Sequence, residues 1–477
     1  MIAPWAKDEV AGANFGDARL DNRFAILSST LGSRPNLSIP AACRGRAEMK
    51  AAYRFFDNGK VRFEKVLEPH IAETKVRMAE CPVVLMVQDS SEMDFTRPEQ
   101  IVNGVGEWDG APRGFVLHET QAFTPDGIPL GTARAETINR VDGVSRASAA
   151  EKGRKRKQTP IEDKESMRRL TGLREARRVA QDSPGAVQCV RVADGESDID
   201  ELFAEPRGER PVHRRIRGCQ DRAIDGGQAR RRRDEVLATP ALHGVELTIR
   251  GREAKTAAED RARRQNRTTR QAKVEVRATS LTPRPPHRHD RELPPVTVNV
   301  VLVREMSPPP GETPVEWIPV TTPPIDTPEQ VRTIVEYDCA RRCVGILFRT
   351  LKSGCRIERR RFEDIDRVSP GLGLCLIVAW RTLFVCRMGR SCPDLDCEAI
   401  FEPSEWKAEW MAVKRKKPPK QMPRLSEMVH LVASLWGTIE RPESEPGTQT
   451  LWIGIRRMHD LARVRDRFGP EAKIRVE

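Results

Sequence analysis

The chain of 477 residues carries a formal net charge of +13 and has a pI of about 9.4. This charge favours a polyanionic partner, most often nucleic acid, over the alternative of a basic but otherwise ordinary enzyme. Hydrophobic residues make up 38% of the chain, which permits a real core, and the length favours about two to four domains. No apolar run approaches the ~18 residues of a membrane span, so none is expected.

The first residues lack the apolar core of a signal peptide, so we expect a cytoplasmic protein. Its eleven cysteines are then expected to be reduced thiols. Cys392 and Cys397 form a loose pair without a second pair or a nearby histidine. Because a zinc site needs four convergent ligands, buried thiols are favoured over zinc.

Helical patterns fill residues 1–75. The clearest is the stretch 47–56, which has apolar side chains on one side and basic ones, including Lys50 and Arg54, on or near the other. Two interpretations remain open for this face: a DNA-binding surface, or an ordinary solvated charged surface.

Two predicted strands are each followed by an aspartate. The buried run 83–87 precedes Asp89, and the run 186–193 precedes Asp194. A lone aspartate in such a place usually forms a turn or a cap. Two of them on neighbouring strands indicate the start of a metal site, because α/β folds place their chemistry at the carboxyl ends of strands. Between the two runs, the sequence predicts an antiparallel meander over 114–129, a basic loop over 140–165 and a helix over 164–181.

Residues 205–325 are rich in arginine and proline with short strand-like runs, which predicts a β-rich insertion. The helical stretch 338–352 follows, with Arg341, Arg349 and Lys352 around its apolar face. Gly354 lies where this helix is expected to stop. Gly345 lies inside it, where glycine costs ~1 kcal/mol relative to alanine. The remaining chain is predicted to be helical.

Several motifs along the chain together resemble one family. They are YRFFDN (53–58), VQDSS (87–91), ADGESDI (193–199), EWIPVTT (316–322), LKSGCRIE (351–358), EPSEW (402–406) and TLWIGIRRMHDLA (450–462). The pattern resembles the bacterial DD-E transposases of the fourth insertion-sequence family, which includes the transposon-five transposase.

The resemblance implies an α/β fold: a ribonuclease H-like mixed sheet with an inserted β subdomain, flanked by helical domains. The implied boundaries are 1–75 for DNA binding, 76–370 for catalysis and 371–477 for dimerisation. Expected partners are double-stranded DNA, as transposon ends and target, and a second copy of the chain, in a nucleoid-associated protein. Arg341, Arg349, Lys352, Arg54 and Lys50 are the expected DNA contacts.

The resemblance also implies three carboxylates that hold two Mg²⁺ or Mn²⁺ ions. Asp89 and Asp194 match the two family aspartates. The family signature of Tyr, Arg, Glu and Lys falls on Asp338, Arg341, Gly345 and Lys352, so the glutamate position is glycine.

No nearby carboxylate is a convincing replacement for the missing glutamate. Glu336 falls nearly on the opposite helix face, Asp338 lies about two turns away, and Glu358 lies beyond Gly354. Three further family residues are replaced by Arg342, Arg169 and Gly195, which suggests drift in a decaying copy.

Two hypotheses therefore differ at Gly345: a transposase with impaired cleavage and strand transfer, or a catalytically inactive DNA-binding dimer. A metal nuclease or RNA-binding protein unrelated to transposition is the third, which the resemblance disfavours.

Overall fold

The computed structural model describes residues 2–96, 101–107, 113–139, 151, 158–182, 187–206, 212–218, 223–224, 231–249, 251, 267–288, 291–437 and 445–468. The chain divides into two compact units. The first unit contains Met1–Cys81, Asp89–Ser145 and Arg342–Glu477; the second contains Pro82–Gln88 and Arg146–Arg341.

Helices and strands are both frequent, as the predicted α/β class requires. The helices are α1 Pro4–Glu9, α2 Ala18–Ser33, α3 Ile39–Ala42, α4 Arg46–Phe56, α5 Phe63–Ala79, α6 Met167–Asp182, α7 Asp200–Ala204, α8 Arg232–Ala238, α9 Pro328–Arg349, α10 Ile365–Ser391, α11 Pro403–Lys414, α12 Leu425–Ser434 and α13 Thr448–Phe468. The strands are β1 Val83–Asp94, β2 Gly106–Glu107, β3 Arg113–Phe123, β4 Pro129–Ile138, β5 Gln188–Ala193, β6 His213–Gly218, β7 His243–Ile249, β8 Arg270–Leu281, β9 Val298–Glu305 and β10 Glu316–Thr321.

In the first unit, the N-terminal helices pack around an aromatic cluster. The rings of Phe15, Phe24 and Phe55 are buried, and their centroids lie 5.5–6.0 Å apart. Such pairs contribute about 0.5–1.5 kcal/mol each beyond the area that they bury. Asp17 caps α2 by accepting a hydrogen bond from the backbone of Arg19. The predicted helices of this region are confirmed.

The first unit also contains the predicted meander. β3 pairs with β4 in antiparallel fashion, and the turn between them includes Gly127 at a φ of 82°. β2 pairs with the other end of β3, and the later part of β1 lies beside β3. Much of the basic loop predicted over 140–165 lies outside the described residues.

Helix α10 is the core helix of the first unit. Among the described residues it is the one helix that is long and apolar enough, by length and composition, to cross a membrane. However, 83% of its apolar window is buried inside the protein, as expected of a core helix. Its end packs with α11, α12 and α13 around buried apolar side chains such as Trp406, Met428 and Leu451.

The second unit contains a mixed sheet. The early part of β1 pairs with β5 and β5 with β6, both in parallel. The order continues through β10, β9, β8 and β7 with antiparallel pairs. The early part of α9 covers β8 and β9 through Val331, Ile334 and Val335. The mixed sheet is as predicted, and β6–β10 lie in the stretch expected to be β-rich.

Strand β1 is longer than predicted. It was expected to end before Asp89, but it continues to Asp94. Its register with β5 ends at Gln88, which faces Ala193. Beyond that point β3 lies beside it, and the backbone N–H of Phe95 donates to the carbonyl of Arg113 over 2.7 Å. Pairing with β3 therefore keeps β1 extended beyond the residues that pair with β5.

Candidate functional site

Asp89 is the first residue of β1 beyond the register with β5. Its side chain is half-buried, and its Oδ1 accepts a hydrogen bond from the N–H of Ser90 over 2.8 Å. The Ser90 hydroxyl is hydrogen-bonded to Nδ1 of His118 over 2.7 Å. The aspartate is thus held on an ordered strand.

Asp194 follows β5 directly and begins the short 3₁₀ turn Gly195–Ser197. Its Oδ1 accepts from the N–H of Glu196 over 3.2 Å, so it has the capping role common for a lone aspartate. Such a bond engages one oxygen and leaves other lone pairs for a cation. The carboxylate of Glu196 pairs with the buried guanidinium of Arg169.

Gly345 lies on α9, as predicted, and is exposed. A Cβ atom built there meets no atom within 4 Å, so a side chain can be added without a clash. Within the described ranges, no three His, Cys, Asp or Glu side chains are grouped so that they could hold a metal ion.

Of the three carboxylates weighed as replacements for the missing glutamate, two have partners in the structure. Asp338 pairs with Arg215. Glu358 lies beyond the π-helical turn Thr350–Gly354 that extends α9, as predicted, and it accepts from the N–H of Asp94 over 3.1 Å. Glu336 is exposed on α9.

The basic residues of the signature region are partly engaged. The Lys352 ammonium donates to the carbonyl of Glu92 and lies 3.3 Å from the Glu358 carboxylate. Arg349 is exposed and donates to Gln449 over 3.0 Å, and Arg341 is half-buried. Lys352 is therefore held beside β1, in the part of the strand that contains Asp89.

Helix α4 presents a basic ridge, which we define as Arg46, Lys50 and Arg54. The spacing of four residues places these side chains on one face, and all three are exposed. None of them has an ion-pair partner among the residues that the structure describes. Exposed basic side chains of this kind can contact the phosphates of a nucleic acid.

Sequence reasoning missed Glu119 of β3. The side chain is fully buried, its Oε1 accepts from the hydroxyl of Thr132 over 2.9 Å, and its Oε2 has no partner in the described part of the chain. Burial, and then the nearby charge of Asp89, raise the pKa of Glu119 to about 8. No local pattern reveals this residue, because its place beside Asp89 depends on the pairing of β3 with β1, which was not predicted.

Buried arginines in the second unit were also missed. Arg191 of β5 is 1% exposed and donates to Gln88. Burial, and then the like charges of Arg169 and Arg214, lower the pKa of Arg191 to about 9. A buried strand of this type normally carries apolar residues at such positions, so this part of the sheet is costly for the fold.

Two family models match the chain. A transposase DNA-binding model matches residues 2–61, and a model of the Tn5 transposase dimerisation domain matches residues 377–465. The first covers α1–α4, and the second covers the end of α10 and most of the helices that follow it. Both matches support a Tn5-like transposase, which confirms the resemblance inferred from the motifs.

Proposed function

We propose that this Tn5-like transposase binds the DNA ends of an insertion sequence as a homodimer, and that its metal-dependent cleavage and strand transfer are impaired. The observation that carries this proposal is the pair of family matches, because DNA binding and dimerisation are the two properties that their descriptions name. The basic ridge of α4 lies inside the first match and supplies exposed cations for phosphate contacts.

We propose a ribonuclease H-like core for the catalytic part. The parallel order of β1, β5 and β6 in a mixed sheet is consistent with such a core. A shared role for the two aspartates rests on the motifs around them, which match the two aspartate positions of the family that the chain resembles.

Asp89 and Asp194 suit a hard divalent cation, because Mg²⁺ is usually bound through one or two carboxylates with water and phosphate oxygens as its other ligands. When bound, such an ion polarises the scissile phosphate and activates water. The chain itself would orient the ion through carboxylates held by the N–H groups of Ser90 and Glu196. Arg349, which is exposed on α9, and half-buried Lys352, in the turn that extends α9, would contact the DNA backbone.

The impairment follows from Gly345. A two-metal mechanism needs ligands for both ions, and glycine supplies no donor at the position of the family glutamate. The second candidate function is a catalytically inactive, DNA-binding, dimer-forming remnant. The absence of any carboxylate at position 345 itself is what favours it.

A supercoiled plasmid that contains the inverted repeats flanking the gene tests both functions. The full chain is incubated with it in Mg²⁺ or Mn²⁺, and nicking and end binding are measured separately. Slow, metal-dependent nicking at the ends supports the impaired transposase. End binding without nicking supports the inactive remnant. The proposal fails if the protein binds neither end-containing DNA nor any other duplex.

A further inference from the structure

The strands β1 and β3 of the first unit share a register that can be fixed from two contacts. The N–H of Phe95 donates to the carbonyl of Arg113, and the hydroxyl of Ser90 lies 2.7 Å from Nδ1 of His118. Residue numbers increase along β1 while the numbers of the contacting residues on β3 decrease, so the two strands are antiparallel. Both contacts give one register, and that register sets Glu119 opposite Asp89.

Residues directly opposite in an antiparallel pair lie on the same face of the sheet, with Cβ atoms about 4.5–5.5 Å apart. Asp89 and Glu119 are therefore neighbouring carboxylates on one face, while Ser90 and His118 occupy the other. Like charges so placed are destabilising unless something lies between them to compensate.

The hydrogen bonds of Glu119 leave one of its carboxylate oxygens without a donor in the described structure. Its residue is fully buried in the described structure, one oxygen is satisfied by Thr132, and the other has no donor. An orphaned buried carboxylate oxygen costs free energy that a proton or a cation can offset. Asp89 is half-buried, so the pair can be reached from solvent on the Asp89 side.

We propose that Asp89 and Glu119 together form a binding site for one divalent cation, Mg²⁺ or Mn²⁺. Two carboxylate oxygens with water as the remaining ligands match the usual protein share of Mg²⁺ coordination. Ion binding at this pair does not depend on DNA. Only its part in cleavage rests on the proposed function.

Binding of Mn²⁺ to the full chain tests the site. The protein is stripped with EDTA and dialysed, and free Mn²⁺ is measured by electron paramagnetic resonance during a titration at pH 8. Glu119→Gln and Asp89→Asn should each weaken Mn²⁺ binding by about tenfold or more, the loss typical when metal-site partners are removed. Glu92→Gln is the matched control, because Glu92 is an exposed carboxylate on the same strand.

Wild-type affinity in Glu119→Gln would overturn the inference, and so would the absence of Mn²⁺ binding by the wild type at millimolar concentration. If Glu119→Gln is not folded in EDTA, Glu119→Asp decides. This variant keeps the negative charge but shortens the side chain by one methylene. Unchanged affinity for Mn²⁺ in Glu119→Asp would therefore also contradict the proposed site.

The two proposals fail separately. If Mn²⁺ binding is lost in Asp194→Asn but not in Glu119→Gln, the ion is bound by the two aspartates and Glu119 is not a ligand. If Mn²⁺ binding requires Glu119 but the protein binds no DNA, the cation site is supported and the proposed function is rejected.

Discussion

Arg215 of β6 and Asp338 of α9 form an ion pair within the second unit. The arginine side chain is fully buried and the aspartate side chain is 17% exposed. The resemblance places the tyrosine of the family signature at position 338, and the aspartate found there has a buried basic partner. The pair fastens the early part of α9 to the sheet.

Breaking this ion pair should destabilise the second unit. Asp338→Ala removes the acidic partner of a buried guanidinium, and breaking a buried ion pair in this way typically costs about 3–5 kcal/mol. We expect a clear drop in the midpoint of thermal unfolding, followed by circular dichroism. Glu336→Ala is the control, since Glu336 is exposed on the same helix and should change the midpoint little.

The double variant Arg215→Met with Asp338→Leu should recover most of the lost stability, because apolar replacement of both partners is often neutral or better. A single Asp338→Ala variant as stable as the wild type would show that the pair contributes nothing.

Glu409 of α11 should make stability depend on pH. The residue is fully buried and neither carboxylate oxygen has a partner in the described structure, and burial raises the pKa of Glu409 to about 8. The folded state then keeps a proton that the unfolded chain releases near its ordinary pKa of 4.5. Its contribution is full below about pH 4.5 and falls as pH rises to about 8.

Replacing Glu409 with glutamine removes this titration. The stability of Glu409→Gln relative to the wild type should therefore rise between pH 5 and 8, by an amount on the order of a few kcal/mol, and level off above that. Thermal midpoints measured across this range give the difference. Glu427→Gln, at a partly exposed carboxylate of the same region, is the control for replacing a carboxylate with an amide. Parallel curves for Glu409→Gln and the wild type would contradict the assignment.

The local sequence pattern predicted where helices and strands lie better than it predicted which of them pair or pack together. The helix that contains Gly345, the meander and the two strands before Asp89 and Asp194 follow from periodicity and turn residues. The extension of β1 to Asp94 does not, because it depends on pairing with β3. The link between Arg215 and Asp338 joins residues 123 positions apart (338 − 215) in the chain, so no local signal reveals it. Glu119 was missed for the same reason, because its position beside Asp89 depends on the register between β1 and β3.

The basic ridge of α4 should contact DNA phosphates. Lys50→Ala and Arg54→Ala should each weaken duplex binding and reduce the slope of log affinity against log salt by about 0.9, the value for one lost phosphate contact. Fluorescence anisotropy across a salt series measures both quantities. Arg19→Ala is the matched control, because Arg19 is equally exposed but its guanidinium pairs with Asp17 at 2.8 Å. An equal loss in all three variants would point to general charge rather than to the ridge.

Restoring a glutamate at position 345 should increase metal-dependent cleavage. The position is exposed on α9 and has open space for a side chain, so Gly345→Glu can be accommodated and should stabilise the helix by up to about 1 kcal/mol. Gly345→Ala gives the helix gain without the carboxylate, so cleavage of end-containing DNA in Mn²⁺ should rise in Gly345→Glu only. Each 1.4 kcal/mol of transition-state stabilisation is a tenfold gain in rate. Strong cleavage by the wild type that survives Asp89→Ala and Asp194→Ala would show that these carboxylates are not the catalytic ones.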